Sequence, residues 1–192
     1  MAMRLPPPPP TSMPDPATEP IEWRHESGLL VSTDKALLQR DRIHAALTVS
    51  TWSPGIDPAT VNRAIDHSLC FGLYRDGVQV GFGRFITDYA TFAYMADVYV
   101  DPSLRGQGLG RFLVSCMLQY PGMERYRRLL LATTTAAWLY QKFGFAVPTN
   151  PSLFWQINRP DVYAGASQSR ANASADEDRS TIAQPDSSPS MK

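Results

Sequence analysis

One stretch limits the fold of this chain more than any other. Asp97-Val98-Tyr99-Val100 is strand-forming, Asp101-Pro102-Ser103-Leu104 interrupts it, and Arg105-Gly106-Gln107-Gly108-Leu109-Gly110 leads at once into the amphipathic run Arg111 to Leu118. A strand that enters a helix through a glycine-rich turn leaves backbone N–H groups unpaired at the positive end of the helix dipole, a geometry that receives phosphate. Gly108 and Gly110 let the backbone approach a ligand with no Cβ in the way. Arg105 and Arg111 stand where guanidinium groups would add charge-assisted contacts. No Gly-Lys-Ser/Thr follows the glycines, which excludes a Walker loop, and the spacing G-x-G-x-G departs from the dinucleotide fingerprint G-x-G-x-x-G.

Around this stretch the chain reads as one domain between two tails. Residues 1–18 include the run Pro6 to Pro10, which has no backbone donors, and residues 162–192 turn to Ser, Ala, Asp and Gln, with too little apolar surface to offset the entropy of ordering. Both are expected to be disordered, leaving residues 19–161 as the folded domain. The tail sequon at Asn172 reads as a chance tripeptide.

Within the domain, Ile21 to Val31 predicts an opening strand region. Ser32-Thr33-Asp34 offers cap chemistry for a first helix through Leu47, and Asp57-Pro58 starts a second. Strands follow at 69–74, 79–87 and 91–100, with Arg75-Asp76-Gly77 as a hairpin turn. A helix over 108–119, a strand over 128–133, a helix over 136–143 and a last strand over 153–157 complete an α+β layout.

Composition removes several classes of function. Eighteen Lys+Arg balance eighteen Asp+Glu, so the chain lacks the basic excess on which phosphate-neutralising nucleic-acid binding depends. No apolar run is long enough to span a membrane, and the N-terminus lacks the apolar core of a signal peptide, so the expected compartment is cytoplasmic. Cys70 and Cys116 are expected to be buried free thiols. His25, His44 and His67 have neither metal-ligand spacing nor a nucleophile elbow beside them, so no metal is expected.

Downstream, Tyr140-Gln141-Lys142-Phe143-Gly144-Phe145 closes a strand–helix unit. With this second motif the chain resembles the GNAT acetyltransferase superfamily. Arg105 to Gly110 is similar to the family's Arg/Gln-x-x-Gly-x-Gly/Ala pyrophosphate loop, and Tyr140 to Phe145 is similar to its Tyr-x-Lys/Arg-x-Gly-Phe element, in the same order and at a matching separation. The resemblance implies a mixed, mostly antiparallel sheet of six or seven strands, splayed after the fourth and flanked by about four helices, with acetyl-CoA lying in the splay.

Carried over by position, the resemblance implies that the backbone of Val98, Tyr99 and Val100 pairs with the pantetheine arm and polarises the thioester carbonyl. The N–H groups of Arg105, Gly106, Gln107, Gly108, Leu109, Gly110 and Arg111 would hold the pyrophosphate. Tyr140 would protonate the departing thiolate. Thr133 occupies the position at which many relatives carry Asn, and with Ala136 it is assigned to the cofactor. Asp97 is assigned as base or substrate contact, and alternation puts it on one face with Met95 and Tyr99, opposite Ala96 and Val98. Trp52, in the connection between the first two helices, is assigned to the wall of the acceptor site.

The implied activity is direct acetyl transfer from acetyl-CoA to a primary amine of a small molecule or peptide, in a ternary complex, by a monomer or homodimer with no nucleic-acid or membrane partner. Two other readings remain open at this level. One is a non-enzymatic acyl-CoA-binding regulator on the same fold, and the other a generic nucleotide-phosphate binder.

Overall fold

The computed structural model describes residues 19–163. The two tails expected at 1–18 and 162–192 therefore lie outside the described residues, apart from Val162 and Tyr163. Six strands form one sheet in simple chain order, antiparallel throughout except for the last pair. They are β1 (Glu22–Arg24), β2 (Leu29–Ser32), β3 (Leu69–Arg75), β4 (Val78–Thr87), β5 (Phe92–Val100) and β6 (Arg128–Leu131). The opening strand region is a hairpin of two short strands, turned at Gly28 with φ +79°. The strand before the glycine-rich loop is consequently the fifth in chain order, and the sheet divides after it.

Between β3 and β4 the two-residue turn Asp76-Gly77 has both φ values positive, +52° and +75°. This is the primed geometry whose twist suits a hairpin, and Asp-Gly is the pair that adopts it most readily. β3 is buried along nearly its whole length, because helices cover both faces of the sheet there. On one face lie α1 (Arg40–Thr48) and α2 (Pro58–Asp66), with Ile43, Leu47, Val61 and Ile65 packed against Cys70 and Phe82. On the other lies α3 (Leu109–Leu118), in which seven consecutive or near-consecutive residues are buried against Phe71, Phe85, Met95 and their neighbours. Each fully buried Leu or Phe contributes about 1.5–3 kcal/mol of transfer free energy, so this central helix is fixed by its surroundings rather than by propensity.

Three elements differ from the sequence expectation. Asp34 does cap a helical turn, its carboxylate accepting from Ala36 N–H at 2.8 Å, but the turn is a 3₁₀ segment, Lys35–Leu37, and α1 begins only at Arg40 after Leu38 returns to extended backbone. The helix expected over 136–143 is a single α turn, α4 (Ala137–Tyr140), tapering into 3₁₀ over Gln141–Phe143. The strand expected over 153–157 does not form. Pro151 opens a 3₁₀ turn through Leu153. Beyond it Trp155 and Ile157 are 93% and 82% exposed, without the alternate burial that holds a strand in register.

No helix among the described residues is long and apolar enough to cross a membrane. Cys70 and Cys116 are free and buried, as expected. Burial pushes their thiols up, to about 11 and about 12, so both behave as small apolar core groups.

Candidate active site

The site is built where β5 and β6 part. The two strands pair from Phe92↔Arg128 to Met95↔Leu131 and no further, while β5 continues to Val100. Over that last stretch β5 remains paired with β4 on its other edge, through Phe82↔Tyr99 and Gly81↔Val100. Val98 and Val100 pack towards α3, and Tyr99 packs towards α1 and α2. With their side chains held by the protein, these three residues offer only backbone to the gap beside β6.

A bulge directs that backbone. Between Phe82↔Tyr99 and Arg84↔Ala96 the single residue Gly83 stands against both Asp97 and Val98. The extra residue is taken up at Asp97, whose φ is +55°, a left-handed conformation that Asp tolerates better than most residues. The bulge shifts the phase of alternation. Met95 belongs to the α3 face, whereas Tyr99 packs on the α1–α2 face and Val98 with the α3 face. The expectation that Asp97 shares a face with both Met95 and Tyr99 is thereby corrected, since strict alternation assumes an unbroken ladder. Gly83 has its own reason to lack a side chain, because a Cβ there would come within 2.8 Å of Met117 Sδ.

From Val100 the chain passes through a 3₁₀ turn, Pro102–Leu104, capped by Asp101. Gly106 and Gly108 then take φ +79° and +84°. Gly108 is the N-cap of α3, and the first main-chain bond into the helix is Phe112 N–H to Gly108 C=O at 3.0 Å. The N–H groups just before Phe112 belong to the first turn, which an α-helix leaves unpaired. Arg105 and Arg111, on either side of this turn, are exposed. Arg75 Nη2 donates to Gln107 Oε1 at 3.2 Å and ties the loop to the β3–β4 hairpin.

Gly110 joins the two sequence motifs. Its Cβ direction points at Leu139 Cδ2 and Val100 Cγ2, 3.8 and 3.9 Å away, so the start of α3 rests between the end of β5 and α4. Tyr140 is the last residue of α4 and is buried, with 8% exposure. Gly144, at φ +86°, reverses the chain behind it, and Phe145 N–H returns to Tyr140 C=O at 3.3 Å. Burial raises the Tyr140 phenol above its ordinary value. On the approach to α4, the hydroxyl oxygen of the exposed Thr133 accepts from Ala136 N–H at 3.0 Å. Its own O–H remains available as a donor.

On the opposite face of the sheet a small cleft opens between α1, α2 and β4, with Asp97 among its lining residues. Arg84 Nε donates to Asp97 Oδ2 at 2.6 Å, and the two side chains are only 14% and 10% exposed. Arg84 Nη1 donates to Ser68 Oγ at 2.9 Å. Trp52 reaches over from the α1–α2 connection, its indole N–H donating to Asp97 Oδ1 at 3.1 Å, while its ring stays 53% exposed. Two of the site's assigned residues, Trp52 and Asp97, are thus in direct contact.

Arg84, Ser68 and Tyr163 were not singled out from the sequence. The signal for Arg84 was alternation: it follows Phe82 by two positions and so shares its face, the one packed against α1 and α2. Tyr163, which lines the cleft, carried no such signal and lies beyond the expected domain boundary.

Both motifs fall inside residues 66–147, which match the family model described as an acetyltransferase (GNAT) domain. A Gibberella zeae protein bearing an acetyltransferase name is 38% identical over 146 residues, spanning 65% of this chain and 82% of that protein. The crystal structure of a GNAT-family protein from Xanthomonas campestris pv. campestris is 44% identical and superposes with a TM-score of 0.68 over 70% of this chain and 96% of its own. A Staphylococcus aureus structure, at 23% identity, has the same fold with a TM-score of 0.57 over 68% of this chain and 98% of its own. The loop, the splay and the buried tyrosine belong together for a reason: the chain is a member of the GNAT acetyltransferase family.

Proposed function

We propose that this enzyme moves an acetyl group from acetyl-CoA directly to a primary amine of a small molecule or peptide, with both substrates bound at once. Acetyl-CoA supplies the activated acetyl group. The residues that would hold it are the backbone of Val98, Tyr99 and Val100 along the splay, the N–H groups of Arg105 to Arg111 at the pyrophosphate, and Thr133 and Ala136 at the far wall. The observation that carries this reading is the unpaired edge of β5 running into the glycine-rich start of α3.

Tyr140 is assigned as the proton donor to the leaving sulfur. A phenol raised by burial stays protonated at neutral pH and retains the proton it must give. Direct transfer is favoured by the thiols: Cys70 and Cys116 are both buried and both pushed up, which suits neither to act as an acyl-accepting nucleophile. Asp97 and Trp52 are assigned to the acceptor side.

Calorimetric titration of acetyl-CoA, followed by amine-dependent release of free thiol, tests the reading. Binding with thiol release that falls in Tyr140→Phe supports transfer. Binding without release on any amine would favour an acyl-CoA-binding regulator, and no binding would remove the cofactor assignment.

A further inference from the structure

The acceptor cleft has an unusual charge economy for a site that would bind an amine. Leu47, Ile56, Val61, Ile65 and Phe82 make its walls. Its lining includes two charged residues, Arg84 and Asp97, and these are spent on each other across 2.6 Å. The second carboxylate oxygen takes the Trp52 indole N–H, so each oxygen of Asp97 already accepts one hydrogen bond from the protein. Tyr163 and the hydroxyls of Ser53 and Thr60 add polar but uncharged contacts.

Three further titratable groups near the cleft also make hydrogen bonds within the protein. His44 Nε2, on α1, lies 3.0 Å from the Ile56 carbonyl; a carbonyl only accepts, so that nitrogen carries its hydrogen towards the backbone. Asp57, at the start of α2, accepts from Ala59 and Thr60. Cys70 Sγ, beneath α2, faces the Ile65 carbonyl. Among the described residues, therefore, the one carboxylate in the cleft lining is Asp97, and its charge is already balanced by Arg84. Burying an ammonium ion here would strip its water against a carboxylate whose charge Arg84 already neutralises.

An alkylamine meets that difficulty twice. It is neutral in only about one molecule in a thousand at pH 7, and it would have to lose its proton without help before it could react. An aromatic amine meets neither, because its lone pair is delocalised into the ring and it is already neutral, apolar and nucleophilic. The exposed Trp52 ring at the mouth provides a surface on which such a ring can stack.

We propose that the acceptor is a weakly basic aromatic amine, bound as the neutral base in the cleft lined by Arg84 and Asp97 and acetylated without a protein general base. This rests on the transferase reading above. The amine nitrogen forms the C–N bond as the thioester C–S bond breaks. The nitrogen's surplus proton leaves to solvent, Tyr140 gives a proton to the sulfur and recovers one from solvent, so that in sum an N–H proton becomes an S–H proton.

The test uses the full chain with p-anisidine, benzylamine and spermidine as probes. Thiol release is measured from pH 6.5 to 8.5, and the binding of each amine to the CoA complex is measured by calorimetry. At pH 7 kcat/KM for p-anisidine should exceed that for benzylamine by about 100-fold or more, and should be flat with pH while that for benzylamine rises about tenfold per unit. Calorimetry should show p-anisidine binding without proton exchange with the buffer. Ser53→Asp, which adds an unpaired carboxylate at the cleft, should lower the p-anisidine preference by about tenfold, as judged against ion-pair strengths in partly buried sites.

Equal or better turnover of benzylamine or spermidine would overturn the aromatic assignment and leave the transferase reading standing. Failure of p-anisidine to bind, or a Ser53→Asp enzyme with unchanged preference, would also overturn it. Absence of thiol release with every amine would end both.

Discussion

Phe145 meets Tyr140 edge-on, with ring centroids 6.0 Å apart and planes at 73°. The contact exists because Gly144 turns the chain back on α4. Tyr140→Phe preserves this packing and removes only the hydroxyl. Its kcat should fall by about 10²–10⁴, the range of general acid catalysis, with calorimetric affinity for acetyl-CoA little changed. Phe145→Ala keeps the hydroxyl and removes its support, so it should lower kcat less while costing about 0.5–1.5 kcal/mol of stability from the ring pair.

The glycine-rich loop separates two demands that usually coincide. Gly108 needs its left-handed φ of +84°, and Gly108→Ala should cost about 1–2 kcal/mol on that ground alone. Gly110 lies in α3 with ordinary contacts around its Cβ direction. Gly110→Ala should therefore hold or raise the melting temperature, since Ala gains about 0.5–1 kcal/mol over Gly within a helix. Its affinity for acetyl-CoA should nevertheless drop if the backbone there approaches the ligand. Thermal melts beside calorimetry distinguish the two effects.

In the core, a Cβ on Gly72 would collide with the Tyr74 phenol, whose buried oxygen has no hydrogen-bond partner among the described residues. Gly72→Ala should destabilise by about 1–3 kcal/mol, as overpacking does. Tyr74→Phe should be neutral or stabilising, because it removes an unsatisfied buried group. A denaturation midpoint that fell in Tyr74→Phe would show that the hydroxyl has a partner after all.

Alkaline pH should unfold the domain in a defined window. Burial pushes Cys70 to about 11 and Cys116 and Tyr120 to about 12, from ordinary values near 9.0 and 10.0. A raised folded-state value means that the native state keeps a proton the unfolded chain releases. The associated stability is full below the unfolded values and is lost as pH rises through the folded ones. The melting temperature should hold between about pH 7 and 8.5 and decline steadily above about 9. Thiol reagents should reach both cysteines only as the protein unfolds.

The parts of the site legible in the sequence were those whose chemistry is local. Asp76-Gly77 announces a hairpin and Gly144 announces a helix end, because in each case the residue type is dictated by its own φ, and Gly108, read as a place of close backbone approach, proves also to need a left-handed φ. Asp97 was found but assigned to the wrong set of neighbours, since a bulge is set by the register of two strands and not by either alone. The pairing of Arg84 with Asp97 was hidden for the same reason: thirteen positions separate them in the chain, and only the β4–β5 register brings them side by side. The expected last strand failed on tertiary grounds, an apolar run without a partner to order it.

The chain beyond Leu153 is fastened at two places, Phe154 under the Arg128 guanidinium at 5.1 Å and Tyr163 in the cleft. Residues between them, among them Trp155, Ile157 and Val162, stand in solvent. Part of the lining of the cleft is thus contributed by a residue on which no described strand or helix depends. A protein shortened to end at residue 161 would keep every strand and helix among the described residues and lose one wall of the cleft proposed for the acceptor.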